Sequence, residues 1–447
     1  MTQLQFHILS FEGPDAYARA GGISSRISGL AKTLADGGFE THLWFVGDPT
    51  LPGHETIGNL HLHRWCQWIS EHHAGGVYDG EYQKADDYAT SLPPYVMREH
   101  IMPHVQAGGR IAILAEEWHT AHAVLHLDWL LRQSKVRDRV RMLWNANNTF
   151  GFNLIDWERL DAASTITTVS RYMKYWMRPL GVDPLVIPNG LDGEAFVAPD
   201  ETALTQMRQR FAERPVLVKM ARFDPDKRWT LAIETVAELK RRGRRPLLIA
   251  RGGLEAHGHE VLGRAYAMGL RIAERRFATG PEGLLGALQD LEGADIALLG
   301  SHVDPAARRV LFRGANAVLA NSSHEPFGLV GLEVMAAAGV ACTGCSGEDY
   351  AVPGQNALVL ETTDPTEFVQ LFERLSPDDE RSLRQAGRQT AHQYSWERVV
   401  DKALLPRVDG DARVSGACSV YSTQVLAEEA PHSGVRARGR APSRRVG

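Results

Sequence analysis

"GGISSRISGLAKTLADGGFETHLWFVG", residues 21–47, decides the fold. A glycine pair opens it, Ile23, Ile27, Leu30 and Leu34 recur at helical spacing, and Gly37-Gly38 stop the run. Thr41 to Val46 then reads as a strand. Just ahead, "LQFHILSFEG" (4–13) is a short strand that breaks at glycine. Strand, glycine loop, helix, strand is one unit of a parallel α/β sheet.

The unit recurs. "RIAILAEEWHTAHAVLHLDWLL" (110–131) reads as strand, loop and helix, and "STITTVSRYMKYWM" (164–177) as a strand feeding a helix. "PLVIPNGLD" (184–192) carries Pro and Gly, and the pattern restarts at "PVLVKMARFDPDKRW" (215–229). "RPLLIARGG", "DIALLGS", "NAVLANSS" and "GVACTG" follow as strands ending in small or polar residues. These spacings predict an α/β protein of two Rossmann-like, doubly wound domains facing a cleft. A ligand is expected between the carboxyl ends of the two sheets. The expected division is an N-terminal domain over 1–185 and a second domain over 186–390. A helix over 391–407 is expected to return to the first domain, followed by a disordered, arginine-ending tail over 408–447.

Composition narrows the function. A chain of 447 residues exceeds one core. The net charge of −5 supplies no whole-chain basic field, so nucleic acid is not an expected partner. No apolar run reaches the roughly 18 residues of a spanning helix. The start, "MTQLQFHILSFEGPD", lacks a basic region and cleavage site, and four cysteines make no disulfide framework. A cytoplasmic protein is expected.

"NSSHEPFGLVGLE" (321–333) puts a glutamate at each end of an apolar, glycine-bearing stretch. Glu325 falls in the loop after the strand "NAVLA", and helical periodicity starts near Gly328. A helix start favours an anion through its free N–H groups. Glu333, about a turn and a half in, can accept hydrogen bonds from two adjacent hydroxyls of a ribose, and Glu325 can do so for a second sugar. A dipole-favoured glutamate plus an exposed one is the competing reading. In "MARFDPDKRW", Arg222 and Lys227 follow the first strand of the second half. Such a pair neutralises a diphosphate leaving group without a metal, or is simply two solvated loop cations.

"ARFDPDKRW", then "EPFGLVGLE", with "IPNGLD" before both, resembles the retaining glycosyltransferases of the GT-B fold, specifically glycosyltransferase family 4. The resemblance runs from "GGI" to "SWERV". It implies that Arg222 and Lys227 bind the donor diphosphate, that Glu325 contacts the transferred sugar and Glu333 the ribose. Around the helix start, it places Phe327, Gly328, Leu329 and Val330 at the donor, with backbone N–H groups on the phosphate. Gly21 and Gly22 correspond to a glycine loop close to the diphosphate; the alternative is a tight turn. "EEWHTA" resembles the Asp-Trp-His-Thr-Ala stretch of bacterial glycogen and plant starch synthases, which puts His119 on the donor sugar, with Glu117 standing where that group has aspartate.

The implied activity is hexose transfer, glucose being favoured by the synthase likeness, from a nucleoside-diphosphate sugar to a hydroxyl of a small-molecule or oligosaccharide acceptor. His119, Glu325, Arg222 and Lys227 are the expected catalytic residues. No cofactor beyond the nucleotide-sugar co-substrate and no metal site is expected. His119, His122 and His126 share a helical face, but nothing completes a ligand set, and Cys342 and Cys345 lack a second pair. The alternatives are a glucan synthase of the glycogen or starch type and a nucleotide-sugar epimerase on the same fold. Trp65, Trp68, Tyr78, Tyr82 and Tyr88 could shape an acceptor site or pack a core. The basic runs "RRGRR" and "RQSKVRDRVR" read as solvated helix faces, with contact to an anionic membrane as the less favoured reading.

Overall fold

The computed structural model describes residues 4–409. The first sheet contains β1 (Leu4–Leu9), β2 (Glu40–Val46), β3 (His54–Ile57), β4 (Leu60–Trp65), β5 (Arg110–Glu116), β6 (Val140–Ala146), β7 (Thr165–Thr168) and β8 (Leu185–Val186). Their order is β3-β4-β2-β1-β5-β6-β7-β8, parallel throughout except that β3 runs against β4. The second sheet contains β9 (Val216–Met220), β10 (Leu247–Arg251), β11 (Ile272–Arg275), β12 (Ile296–Leu299), β13 (Ala317–Ala320), β14 (Ala341–Thr343) and β15 (Leu358–Val359). Its order is β11-β12-β10-β9-β13-β14-β15, all parallel.

Helices cover the sheets because the central strands carry apolar residues on both faces, as with Ile8 and Leu9 and with Val216, Leu217 and Val218. In each sheet the chain winds outward from its first strand, then returns to wind the other way. The reversals lie between β1 and β5 and between β9 and β13. Loops leaving those four strands therefore diverge, and the gap between them is where a ligand fits.

β8 straddles the expected boundary at residues 185 and 186, since Leu185 and Val186 pair with Thr167 and Thr168. The connection after β8 meets the C-terminal segment: Leu191 N–H donates to Tyr394 O at 2.7 Å, and Trp396 N–H returns to Leu191 O at 3.1 Å. Trp396, Val399, Val400, Ala403 and Leu404 share a core with Phe6, Ile8, Ile27 and Leu30 of the first half. A Cβ on Gly29 would lie 2.1 Å from Trp396 Nε1, so only hydrogen fits beneath the indole. From residue 410 onward, the expected tail lies outside the described residues.

Candidate functional site

At the carboxyl end of β9 the chain makes a tight turn over Pro225–Lys227 before the helix Trp229–Arg241. Lys227 Nζ lies 2.7 Å from Glu325 Oε2, beyond β13. Ser323 N–H donates to Asp226 O at 2.8 Å, which stitches the two loops together. Arg222 is not part of this pair. Its guanidinium is 72% exposed and holds Asp224 at 2.9 Å.

Beneath the pair is a cation that the motif reading missed. Lys219, in the middle of β9, is fully buried; its Nζ donates to Leu319 O at 3.0 Å and Asn321 Oδ1 at 2.9 Å. Burial pushes its pKa down to about 7, with Lys227 and Arg228 adding repulsion. Its signal in sequence was a lysine inside "VLVKM", an otherwise apolar strand.

The helix Leu329–Ala336 starts at Gly328, whose φ of +80° favours glycine. A Cβ there would also meet Glu348 Cγ at 2.5 Å. Leu329 and Val330 form the first turn, both half-buried. Phe327 is buried against Tyr350 and Tyr394, so its ring belongs to the core under the loop. Glu333 faces Arg308 Nη1 at 3.4 Å, and burial raises its pKa against the pull of that arginine.

Glu348 is a further acidic group at this helix start. Its Oε2 accepts from Ser346 N–H and Oγ–H at 3.1 and 3.2 Å, while Oε1 is buried without a partner. Burial, reinforced by Glu325, pushes its pKa up to about 7. Next to it, Asp349 accepts from Arg171 N–H at 2.7 Å and Nε–H at 3.2 Å. This pair joins the helix Arg171–Met177, after β7, to the loop after β14.

In the first half, Gly21 and Gly22 are exposed, and a Cβ on either would meet nothing within 4 Å. Buried Glu12 sets the loop's shape: Oε2 accepts from the N–H groups of Ala20, Gly21 and Ser24 at 3.3, 3.2 and 3.0 Å. Tyr78 Oη–H donates to Glu12 Oε1 at 2.6 Å.

His119 follows β5 and is buried, stacked on Phe11 at 4.1 Å and Trp118 at 3.9 Å. Its Nε2 is 2.8 Å from Glu81 Oε1, and its Nδ1 is buried with no partner. Burial pushes its pKa down to about 4 despite Glu81. The ring is thus neutral near pH 7. Because a carboxylate only accepts, Nε2 carries the hydrogen, and Nδ1 presents a free lone pair.

Glu117, immediately before, sits at φ +69° and ψ 167°, a region nearly reserved for glycine and worth about 1–3 kcal/mol of strain. It is held by Asn147 N–H at 2.6 Å, and burial pushes its pKa up to about 8. Glu116 is buried against Arg26 Nε at 3.1 Å, and Arg26 also reaches Asn189 Oδ1 at 2.8 Å.

Of the aromatic residues singled out in sequence, Tyr78 and Tyr82 lie near His119 and Trp118. Tyr88 is core, Trp65 packs on Trp44, and Trp68 is exposed. Among the described residues, no helix is long and apolar enough to cross a membrane.

No family model matches the chain. It is 29% identical over 232 residues to D-inositol 3-phosphate glycosyltransferase from Geodermatophilus obscurus, a match covering 50% of this chain. The match covers 47% of that relative, so the chain spans about half its length. In structure the chain is similar to sucrose-phosphate synthase from Thermosynechococcus elongatus, with a TM-score of 0.59 at 19% identity, over 89% of this chain and 96% of that one. It is also similar to the catalytic domain of starch synthase IV from Arabidopsis thaliana bound to ADP and acarbose. There the TM-score is 0.59 at 14% identity, over 90% and 100% of the two chains. The chain has the GT-B fold of these synthases: two Rossmann-like α/β halves, each wound about a central switch point.

Proposed function

We propose that the protein is a retaining hexosyltransferase of glycosyltransferase family 4. It moves a sugar, glucose in our reading, from a nucleoside diphosphate to a hydroxyl of a small carbohydrate-like acceptor. The observation that carries this is the Lys227–Glu325 pair at the carboxyl ends of β9 and β13, beside the helix that Gly328 opens.

In this reading residues 186–390 hold the donor and residues 1–185 the acceptor. The diphosphate sits against the N–H groups of Gly328, Leu329 and Val330, with Gly21 and Gly22 facing it. Lys227 and Arg222 neutralise the charge that develops as it leaves, so the reading assigns this task to protein cations rather than to a cofactor. Arg222 must swing from Asp224 to do so, and its exposure leaves it free to turn. Glu333 accepts from the ribose hydroxyls after parting from Arg308.

Glu325 and His119 orient the transferred sugar. Nδ1 of His119 accepts a hydrogen bond from one of its hydroxyls, which satisfies the orphaned lone pair. As the bond between the anomeric carbon and the bridging diphosphate oxygen breaks, an oxocarbenium-like sugar forms and the diphosphate leaves with that oxygen. The acceptor oxygen bonds to that carbon on the face the phosphate leaves, and its proton passes to a phosphate oxygen.

A phosphorylated polyol or sugar as acceptor is consistent with the names of two of the similar proteins, the D-inositol 3-phosphate glycosyltransferase and sucrose-phosphate synthase. The three free cysteines among the described residues suit a reducing cytoplasm. Calorimetry with UDP, ADP, GDP and TDP tests the donor site. One nucleotide should bind selectively and be weakened by Glu333→Ala; equal binding of all four by both proteins would refute the ribose clamp.

A further inference from the structure

Away from the cleft, the edge of the first sheet concentrates imidazoles. The register puts His7 opposite His42, His42 opposite His61 and Trp44 opposite His63 across β1, β2 and β4. Antiparallel β3 adds His54 opposite His63. Side chains alternate along a strand, so these rings share one face. Over them lies His100, in the π-helical turn Met97–Ile101 that continues the helix Glu81–Val96. An interface between sheet and helix needs only apolar groups. Buried there, His7, His42 and His63 cost desolvation and have no part in the proposed sugar transfer.

We propose that His42, His63 and His100 form a binding site for a divalent metal ion of the zinc type, with Glu40 orienting His42. Their ligand nitrogens lie within 4.8 Å of one another. His42 Nδ1 and His63 Nε2 are 2.9 Å apart, and the His100 ring stands edge-on to both, at 66° and 80°. Nitrogens about 2.0–2.1 Å from a tetrahedral zinc ion are roughly 3.3 Å apart, so a small opening of the set admits the ion. The ligands come from two neighbouring strands and a packed helix, which brings them together before any ion arrives.

The hydrogen-bond directions fit this role. Trp44 Nε1 can only donate, and it lies 3.1 Å from His7 Nδ1. His7 Nε2 then donates to Gln5 Oε1 at 3.0 Å, and the Gln5 amide nitrogen to His42 Nε2 at 3.1 Å. His42 is left with its hydrogen on Nδ1, aimed at His63 Nε2. When a metal ion takes both of those nitrogens, the hydrogen of His42 moves to Nε2 and the Gln5 amide turns aside. Glu40 Oε1, at 3.4 Å, accepts it. A histidine ligand ordinarily gives its other N–H to such a carboxylate. No net proton is released from His42. Glu40, His42 and His61 make a second triplet within the same span, but there the carboxylate would be a ligand rather than the acceptor that His42 needs.

The bound ion would brace the helix on the sheet. The same helical run presents Glu81, which holds His119 at the cleft.

The test uses the full chain, stripped with EDTA and desalted, and titrated with zinc chloride by calorimetry and with cobalt chloride by visible absorption. We expect one zinc ion per chain, a melting temperature that rises with free zinc, and cobalt bands of a four- or five-coordinate site. His63→Gln and His100→Gln should abolish these signals, Glu40→Gln should weaken zinc affinity about 10- to 100-fold, and exposed His122→Gln should change nothing. His100 is only half-buried, so its variant should fold even if His63→Gln does not. Absence of saturable zinc uptake by the native chain, or uptake unchanged in His100→Gln, would overturn the assignment.

Discussion

Lys227 Nζ and Glu325 Oε2 are 2.7 Å apart in space and 98 residues apart in the chain. They meet because β9 and β13 pair side by side, Val218 opposite Val318, so the loops leaving their carboxyl ends share one rim. Without a ligand, each charge satisfies the other. In the proposed reading, a bound nucleotide sugar draws the cation to its diphosphate and the carboxylate to its sugar. Replacing Lys227 with Ala should lower kcat by about 10²–10³-fold, the usual loss on removing one preorganised group from a developing oxyanion. Steady-state rates with the preferred donor check this, and an unchanged kcat would dismiss Lys227 from the chemistry.

His119 is expected to act as a neutral acceptor. With its pKa pushed down to about 4, the ring is overwhelmingly neutral between pH 6 and 8. The pH profile of kcat/KM in that range should therefore be the same for the native enzyme and for Glu81→Gln. His119→Ala should lose about 10-fold or more in kcat/KM, on the order of one lost hydrogen bond to a buried group. A rate that falls with an apparent pKa near 6.5, and loses that feature in His119→Ala, would mean that the protonated ring does the work.

Lys219 makes a stability prediction with a definite sign. Its folded pKa is about 7, below the roughly 10.4 of an unfolded lysine. Between those values the unfolded chain binds the extra proton, so this residue penalises folding near neutrality and the penalty shrinks as pH rises. Stability of the native chain relative to Lys219→Met should rise between pH 7.5 and 9 by up to about 1.4 kcal/mol per unit. Urea denaturation at the two pH values measures it. A flat difference would place the lysine charge in a solvated site.

Gly29 and Trp396 set a packing test. A methyl group added at Gly29 would lie only 2.1 Å from the indole nitrogen, so Gly29→Ala should cost about 1–3 kcal/mol. Trp396→Ala should cost about 3–5 kcal/mol. The two costs should not add, because removing the indole makes room for the methyl. Additive losses in urea melts would show that the two residues do not share a contact.

Much of the candidate site's geometry could be read from residues that are close in sequence. Glu325, Gly328 and Glu333 are ordered by one loop and one helix, so their spacing already placed a carboxylate on each side of a helix start. Arg222 and Lys227 are five positions apart, yet they part company: Lys227 ends its turn facing Glu325, while Arg222 turns outward to Asp224. Glu12, Lys219 and Glu348 stand in stretches whose pattern reads only as strand or loop, and nothing local marks Glu12 and Glu348 as buried. Their roles come from burial, and burial depends on what packs over them.

The histidine row shows the same division more sharply. "HLH" at 61–63 tells that two imidazoles share one face of a strand, but it says nothing of His7, His42 or His100. They join only through the strand order β4-β2-β1 and the helical run laid across it. By itself the sequence determined the strand–loop–helix units at 4–47, 110–131 and 164–177, the two-half α/β architecture and the helix start between two glutamates, because these follow from periodicity and turn chemistry within a few residues. Only the tertiary structure decided which charges are paired, which carboxylates burial shifts upward in pKa and which histidines face one another. Those outcomes depend on dielectric and distance between residues that the winding of the two sheets brings together.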